Sequence, residues 1–289
     1  MSQNSFHRYA GKVAFITGAA RGQGRATAIR LAEEGADIIA VDLCAPLDTV
    51  QYVGSTAADM AETVRAVEDM GRQIIAVQAD VRDWNALSSA LQAGVEQLGR
   101  LDVVVANAGI CSASRSWEIT PQQWQQTIDT NLTGVFHTAK AAIPILIEQG
   151  TGGAMVFTSS VAGLRGLPFL AHYAASKHGV VGLCKTIANE VAQYNIRVNT
   201  VHPHGVATGM TTPELFALVE EHSSTLGPIF MGALPDQVSQ PADMGRPRRG
   251  TRLVGYRPRR CFLEVPGSRL GGTPRHRTGT HGGKPRRIR

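Results

Sequence analysis

The sequence predicts an α/β fold in which one parallel sheet is covered by helices on both faces. Between residues 12 and 201, short apolar runs rich in β-branched residues alternate with longer amphipathic stretches, and this alternation is typical of repeated strand and helix units. The runs are apolar almost throughout, as at residues 101–107, which indicates strands buried on both faces. A glycine-rich turn follows the first run directly, as in doubly wound sheets of the Rossmann type.

Six parallel strands account for these runs. We predict them at residues 13–17, 37–42, 73–79, 101–107, 154–158 and 196–201, with helices between them. The chain has 289 residues, of which 43% are hydrophobic, so one large domain can bury a substantial core. We place this single Rossmann-like domain at residues 9–244.

Composition excludes several other classes of protein. Every apolar run is shorter than the roughly 20 residues that span a bilayer. The N-terminal residues are polar and lack the apolar centre of a signal peptide, so we expect a cytoplasmic protein without membrane contact. The four cysteines show no C-x-x-C spacing and no neighbouring histidine pairs, so we expect neither a disulfide framework nor a metal site.

Two connections are longer than usual for this architecture. Residues 43–55, which include Pro46 and Gly54, exceed the common length of a strand-to-helix loop. We interpret them as a functional cover. Residues 203–241 are irregular apart from one helical stretch at 213–222, and they follow the sixth strand, where we expect a substrate lid.

The last 45 residues differ from the rest of the chain. Residues 245–289 contain 13 Arg and one Lys against the single acid Glu264, and no Ala. The tail is therefore near +13 and the body near −7, within a total of 29 basic and 23 acidic residues. We predict a disordered tail. It would attract phosphates, but without interleaved aromatic residues or a recognition fold we expect no specific nucleic acid partner.

The glycine-rich turn reads T-G-A-A-R-G-Q-G at residues 17–24. In a dinucleotide site, Gly18 would allow the sharp turn, Gly22 would let the backbone approach a pyrophosphate, and Gly24 would permit close helix packing. The N–H groups of the following helix would bind the anion. The alternative is a plain glycine-rich turn, but its place between a strand and a helix favours the cofactor.

Asp42 stands at the end of the second strand, 18 residues after Gly24. Its carboxylate would accept hydrogen bonds from an adenosine ribose and would repel a 2′-phosphate, so NAD is favoured over NADP. Arg21, within the glycine turn, could meet a 2′-phosphate or could be an ordinary loop residue. NADP therefore stays as the alternative cofactor.

Tyr173 and Lys177 are four residues apart in an amphipathic stretch, which places both on one face of a helix. An ammonium nearby, together with a positive nicotinamide ring, stabilises a phenolate and lowers the pKa of a tyrosine toward the range of a general base. For this pair alone, a tyrosine that packs beside a surface lysine is the favoured interpretation.

Several motifs together resemble the short-chain dehydrogenase/reductase family. They are T-G-x-x-x-G-x-G at 17–24, Asp80 and Val81 after the third strand, Asn107-Ala108-Gly109 after the fourth, Asn131-Leu-Thr-Gly134 as the helix that bears the family's catalytic Asn, and Tyr173 with Lys177 as Y-x-x-x-K. Ser160 stands 13 residues before Tyr173, and this separation selects it over Ser159 as the family's serine.

The resemblance implies a catalytic set. Tyr173 exchanges the proton of the alcohol, Ser160 hydrogen-bonds the substrate oxygen, and Lys177 tunes Tyr173 and holds the nicotinamide ribose, while Asn131 holds a water in a proton relay. The implied cofactor-binding residues are Gly18, Arg21, Gly22, Gln23, Gly24, Asp42, Leu43, Asp80, Val81, Asn107, Ala108, Gly109, Tyr173, Lys177, Pro203 and Thr208. His202 and His204 are interpreted as loop residues without a catalytic role, and we assign no role to His172 or His178.

The insertion at residues 43–55 resembles mycofactocin-coupled, carveol-dehydrogenase-like members of the family. That resemblance implies that the insertion covers NAD and slows its exchange, so that an external redox partner regenerates the cofactor in place. The alternative is a loop of variable length without such a role. The expected reaction is the NAD-linked interconversion of a hydrophobic secondary alcohol, cyclic or terpenoid, and its ketone.

Two alternative functions remain at this point. One is an NADP-linked ketoreductase, and the other is a catalytically impaired dinucleotide-binding protein. The second follows from the tail, since the family resemblance stops near Met244 and we predict that the family's seventh strand is lacking. Reading a GC-rich, alanine-rich segment out of frame gives Arg and Pro codons, so we hypothesise a frameshift near residue 244. The homo-oligomer expected for the family is then in doubt.

Overall fold

The predicted parallel sheet is confirmed in the computed structural model, which describes residues 7–210, 213–231 and 253–255. The six parallel strands are β1 Val13–Thr17, β2 Asp37–Asp42, β3 Ile74–Gln78, β4 Val103–Ala106, β5 Gly153–Thr158 and β6 Ile196–Val201. Their order is β3-β2-β1-β4-β5-β6. β3 and β4 are shorter than predicted, although Gln73, Ala79 and Asp102 still form backbone hydrogen bonds with the neighbouring strands.

In the described part of the chain, eight α-helices connect or follow these strands. They are α1 Gly22–Glu33, α2 Ala57–Glu68, α3 Trp84–Leu98, α4 Pro121–Ile128, α5 Gly134–Gln149, α6 Ala171–Val191, α7 Pro213–Glu221 and α8 Ser223–Met231. α2 begins where the sequence predicts, because Thr56 and Asp59 form a reciprocal capping box at its first turn. No helix in the described ranges is long and apolar enough to cross a membrane.

The core lies on both faces of the sheet. Along β1, Val13 and Phe15 pack into a cluster with α3, α5 and α6, whereas Ala14 and Ile16 pack into a second cluster with α1 and α2. All of β1 is buried. A nearly continuous apolar run was predicted to have this double burial, since alternate side chains of a strand point to opposite faces.

The strand order reverses between β1 and β4, and this reversal locates the site. Thr17, the last residue of β1, pairs with Val41 of β2 on one side and with Ala106 of β4 on the other. The connections that follow β1 and β4 leave the sheet toward opposite faces, which opens a crevice at the carboxyl edge. The predicted functional motifs all stand at this edge.

The structure adds one short antiparallel strand within the C-terminal tail. β7 Leu253–Gly255 runs antiparallel to β6, with Asn199 paired to Gly255 and Val201 paired to Leu253. Over these three pairs the outer edge of β6 is hydrogen-bonded, although no strand was predicted in the tail. Residues 245–252 and 256–289 lie outside the described part of the chain, so the disorder expected there stays a prediction.

Candidate active site

An open cleft with about 1200 Å³ of empty space lies at the carboxyl edge of the sheet. It brings together nearly all of the residues that the sequence predicts for the site. Those that line it are Gly18, Arg21, Gly22, Gln23, Asp42, Leu43, Asp80, Val81, Asn107, Ala108, Gly109, Ser160, Tyr173, Lys177, Pro203 and Thr208. Gly24 and Asn131 stand behind this lining and contact residues of the wall.

The glycine turn is shaped by close backbone approaches. Gly18 has φ +69°, and a Cβ there would lie 2.8 Å from the Cα of Ala108. A Cβ on Gly24 would overlap the carbonyl of Gly18, so Gly24 serves the packing of α1 rather than the cleft surface. Arg21 precedes α1 without capping it through its side chain, unlike the residues that cap α2, α3 and α4. The N–H groups of the first turn are thus left for a ligand.

Asp42 is 7% exposed and connects the glycine turn to the segment after β2. Its Oδ2 accepts a hydrogen bond from the backbone N–H of Ala20 at 2.9 Å. Its Oδ1 accepts from the N–H of Cys44 at 3.2 Å and from the hydroxyl of Ser55. A carboxylate has about four acceptor positions, so a ligand hydroxyl could use the one that remains.

Asp80 also lines the cleft, next to the third strand. The guanidinium of Arg82 donates to both of its carboxylate oxygens, from Nε at 2.8 Å and 3.0 Å. The sequence analysis did not select Arg82. Its side chain lines the same wall, and it holds the carboxylate of Asp80 in one orientation.

Asn131 lies in a π-helical turn, Asp129–Thr133, between α4 and α5. Such turns are rare and often occur at functional sites. The Oδ1 of Asn131 accepts from the N–H of Ile110 at 2.7 Å, and its Nδ2 donates to the carbonyl of Ile110 at 2.8 Å and to the hydroxyl of Ser176 at 3.2 Å. Asn131 therefore fixes the loop after β4 against α6, and α6 carries Tyr173.

Tyr173 and Ser160 both line the cleft. Ser160 is the second residue after β5 and caps the 3₁₀ turn Val161–Gly163, where its Oγ accepts from the N–H of Ala162 at 3.1 Å. Burial raises the pKa of Tyr173 above its usual value, and the hydrogen bond with Ser160 opposes that rise. In the chain alone the pKa therefore moves opposite to the direction that the sequence analysis expected.

Lys177 is 3% exposed, one turn after Tyr173 on α6. Its Nζ donates to the carbonyl of Thr158 at 2.8 Å and lies 5.6 Å from the centre of the Tyr173 ring. Burial lowers the pKa of Lys177 to about 8, because a buried ammonium loses hydration. A Cβ on Gly109 would be 3.4 Å from this Nζ, so the N-A-G turn brings bare backbone beside the amine.

Residues 43–55, which we name the cover segment, close one side of the cleft. The hydroxyl of Tyr52 accepts a hydrogen bond from the N–H of Cys111 at 3.2 Å. The guanidinium of Arg21 lies over the Tyr52 ring, 5.9 Å from its centre. Thr49 donates a hydrogen bond to Gln126 of α4. The cover segment thus spans from the glycine turn to the loop after β4.

The other side is bordered by Pro203, Thr208, Gly209 and Met210. We name residues 203–210 and 213–231, which include these four, the lid segment. Leu215 and Leu218 of α7 pack on a buried cluster of Cys111, Ala113 and Leu170, beside Tyr173. The end of α7 is held at the surface, where Arg115 donates to both carboxylate oxygens of Glu221 at 2.9 Å and 3.0 Å. The surface between Tyr173 and α7 is consequently apolar. The predicted lid residues 232–241 lie outside the described residues.

The family model for short chain dehydrogenases matches residues 12–215. The chain belongs to the short-chain dehydrogenase family. It is 50% identical over 208 residues to a protein of Rhodococcus erythropolis named (−)-trans-carveol dehydrogenase. This match covers 72% of this chain and 75% of the relative. The prediction that the chain is an oxidoreductase of this family is confirmed.

Two solved structures of short-chain dehydrogenases are close in fold and sequence. Carveol dehydrogenase from Mycobacterium avium, in complex with NAD, has a TM-score of 0.76 and 47% identity, and the match covers 82% of this chain and 88% of that one. A short chain dehydrogenase from Mycobacterium paratuberculosis bound to NAD has a TM-score of 0.77 and 44% identity, with 81% and 88% covered.

Several residues of this short-chain dehydrogenase that border the cleft were not selected from the sequence. They include Tyr52, Ser55, Arg82, Ile110 and Met210. Tyr52 could have been found, since it is the one aromatic residue of the cover segment. Arg82 was missed although it stands two residues after Asp80, and Ser55 contacts Asp42 from 13 residues away. Among the described residues, no group of three or more His, Cys, Asp or Glu could hold a metal ion.

Proposed function

We propose that this chain is an NAD-dependent alcohol dehydrogenase that interconverts a hydrophobic secondary alcohol, cyclic or terpenoid, and its ketone. The observation that carries the proposal is the grouping of Tyr173, Ser160 and the buried amine of Lys177 on the lining of one cleft. The glycine turn lines the same cleft, and an apolar cluster packs beside Tyr173. The names of the carveol dehydrogenase relatives support the same substrate class.

The residues of the cleft fit a dinucleotide. The free first turn of α1 and the absence of a Cβ at Gly22 suit a pyrophosphate. NAD is favoured over NADP because the carboxylate of Asp42 would face a 2′-phosphate. Arg21, which could have received that phosphate, lies over the ring of Tyr52. The two solved relatives bound to NAD support this choice.

Tyr173 acts as the acid and base in the proposed reaction. When bound, the nicotinamide ring accepts a hydride from the alcohol carbon or returns it to the ketone. In oxidation, the Tyr173 oxygen takes the hydroxyl proton of the alcohol, while Ser160 donates a hydrogen bond to the same substrate oxygen as its charge develops. Burial disfavours the phenolate in the chain alone, so the oxidised nicotinamide's positive charge is needed to lower the pKa of Tyr173.

Lys177 and Asn131 support this step in different ways. The amine of Lys177 is placed to bind the nicotinamide ribose, and its charge favours the phenolate. Both hydrogens of the Asn131 Nδ2 are donated within the chain, to Ile110 and Ser176. A relay water at Asn131 would therefore be bound through the oxygen atoms of this residue rather than by its Nδ2.

The cover segment supports a cofactor that stays in place between turnovers. Tyr52 bridges the cleft to the N–H of Cys111, and Thr49 attaches the segment to α4. NAD can leave only after these contacts open. We propose that an external redox partner of the mycofactocin type reoxidises the retained cofactor.

Native mass spectrometry of the purified chain, followed by addition of (−)-trans-carveol, tests the proposal. We expect NAD to co-purify, and one equivalent of NADH to form per chain without added cofactor. Tyr173→Phe is the matched control, which should retain NAD and form no NADH. NADP in place of NAD would favour the ketoreductase alternative, and retained NAD without turnover across an alcohol panel would favour the impaired binding protein.

The origin of the tail is tested by resequencing the DNA. We propose that the reading frame shifts near residue 244, where the family resemblance ends. Resequencing should place a normal family C-terminus in another frame. An intact frame, with no such C-terminus in either alternative frame, would contradict the proposal. Oligomeric state should be measured on both versions of the chain, since a missing C-terminus would impair assembly.

A further inference from the structure

We infer that His202 is a positioning residue for Ser160. This inference rests on the proposed function, because it assigns His202 a role through the serine that holds the substrate oxygen. The Nδ1 of His202 lies 2.9 Å from the carbonyl oxygen of Ser160, and its Nε2 lies 2.9 Å from the hydroxyl of Thr200. The imidazole therefore spans from the end of β6 to the backbone of Ser160.

The hydrogen-bond partners define the tautomer of His202. A carbonyl oxygen only accepts, so Nδ1 carries the proton and donates to Ser160. Burial lowers the pKa of His202, so the ring is neutral at pH 7 and its Nε2 is an acceptor. The hydroxyl of Thr200, which is 3% exposed, then donates to Nε2 and holds the ring in this tautomer.

His202 lies just beyond the last paired residues of β5 and β6. β5 and β6 pair as far as Thr158 and Val201. Beyond that pair, the N–H of Ser159 donates to the carbonyl of Val201 at 2.9 Å, and the N–H of Val161 donates to the carbonyl of Pro203 at 3.1 Å. Between these two backbone bonds, the Ser160 carbonyl accepts from the imidazole of His202, in addition to the N–H of Gly163 at 2.9 Å in the turn that follows Ser160.

These hydrogen bonds fix the backbone position of Ser160 in the site. Residues 159, 160 and 161 are each hydrogen-bonded to residues 201–203, so the peptide that carries the Ser160 side chain has little freedom to rotate. Without the imidazole, the Ser160 carbonyl would keep the Gly163 N–H of its own turn but lose the donor that ties it to the end of β6, so the peptide could shift relative to that strand. Small displacements of a group that must meet a substrate oxygen reduce the rate strongly.

Two substitutions separate the two contacts of the imidazole. The Nδ2 of an asparagine is as many bonds from Cα as the Nδ1 of histidine, so His202→Asn can keep the hydrogen bond to Ser160. The Nε2 of a glutamine corresponds to the histidine Nε2, so His202→Gln can reach Thr200 but not Ser160. The two variants are matched in polarity and differ in which contact they keep.

The test measures reduction of a soluble redox dye that reoxidises the NADH formed from (−)-trans-carveol, together with the NAD content of each variant. We expect kcat to fall on the order of tenfold in His202→Ala and His202→Gln, and to recover largely in His202→Asn. NAD content should be unchanged. His178→Ala is the control, since His178 is exposed on α6 and its Nδ1 donates to Ala174 of the same helix.

A second readout separates positioning from a general structural effect. If His202 acts through Ser160, His202→Ala should cause no further loss of kcat in a Ser160→Ala background. Additive losses, or equal kcat for His202→Asn and His202→Gln, would overturn the inference. A wild-type chain without turnover overturns the proposed function instead. Crystal structures then decide the inference: it requires the Ser160 Oγ to be displaced from the Tyr173 hydroxyl in His202→Gln and in place in His202→Asn.

Discussion

The cover segment and the lid segment border the same cleft, but they are held by different kinds of contact. The cover segment is attached by hydrogen bonds of buried or half-buried groups, such as Tyr52 with Cys111 and Ser55 with Asp42. The lid segment is held by apolar contacts of α7 and by the surface ion pair of Arg115 and Glu221. This difference suits a site that retains its cofactor and exchanges its substrate.

The largest expected effect is a loss of reaction rate on substitution of Tyr173, which lines the cleft that both segments border. Removing the phenolic oxygen in Tyr173→Phe should lower the single-turnover rate by about 10²–10⁴-fold, because no other group is in place to take the alcohol proton. Neither segment depends on that oxygen, so NAD content and substrate affinity should be close to wild type. Stopped-flow fluorescence of NADH and equilibrium binding measure the two properties.

Tyr194→Phe is the control for this variant, since Tyr194 is 42% exposed and remote from the cleft. Loss of NAD from Tyr173→Phe would show that the phenolic oxygen also retains the cofactor. Tyr173 would then contribute to cofactor retention together with the cover segment.

A second prediction concerns the buried amine between the two segments. The pKa of Lys177 falls from 10.5 to about 8 on folding, so the unfolded chain holds this proton more tightly and the charged amine destabilises the fold at pH 7. Lys177→Met should therefore stabilise the cofactor-free chain by roughly 2 kcal/mol, after the loss of the hydrogen bond to Thr158, while turnover is lost. Thermal unfolding of NAD-free protein measures this change.

The free energy of unfolding should depend on pH in the direction that the lowered pKa of Lys177 requires. Between pH 8 and 10.5 the folded chain releases the Lys177 proton while the unfolded chain keeps it, so the stability of the wild type should rise relative to Lys177→Met. The difference between the two melting temperatures should accordingly narrow across this range. A constant difference from pH 7 to 10.5 would show that Lys177 is not buried as a charged group.

The floor of the cleft could be predicted from sequence far better than its two walls. The glycine turn, Asn107, Ser160, Tyr173 and Lys177 belong to motifs with fixed spacing, so the order of strands alone brings them to one edge. Tyr52 and His202 act through partners about 60 and 40 residues away, and no local pattern specifies such contacts. β7 was missed for a related reason, because three paired residues leave no recognisable periodicity.

The third prediction concerns the loss of one hydrogen bond of the cover segment. Tyr52→Phe removes the hydrogen bond to the Cys111 N–H but keeps the ring beneath Arg21. A hydrogen bond of this type contributes about 1 kcal/mol, so we expect roughly fivefold faster NAD release. Exchange of retained NAD for an isotope-labelled cofactor, followed by native mass spectrometry, measures the release rate. Unchanged release would place the retaining contacts elsewhere, at Thr49 or Ser55.

The smallest effect is expected at the lid segment. Glu221→Gln weakens the ion pair with Arg115, whose partners are 55% and 28% exposed. Exposed pairs of this kind contribute about 0.5 kcal/mol, so the KM for the alcohol should rise roughly twofold, with no change in NAD release. Salt at about 1 M, which shortens the Debye length to roughly 3 Å, should raise the KM of the wild type to a similar extent and leave that of Glu221→Gln unaffected. Faster NAD release in Glu221→Gln would contradict the division between the two segments, because it would show that the lid also holds the cofactor.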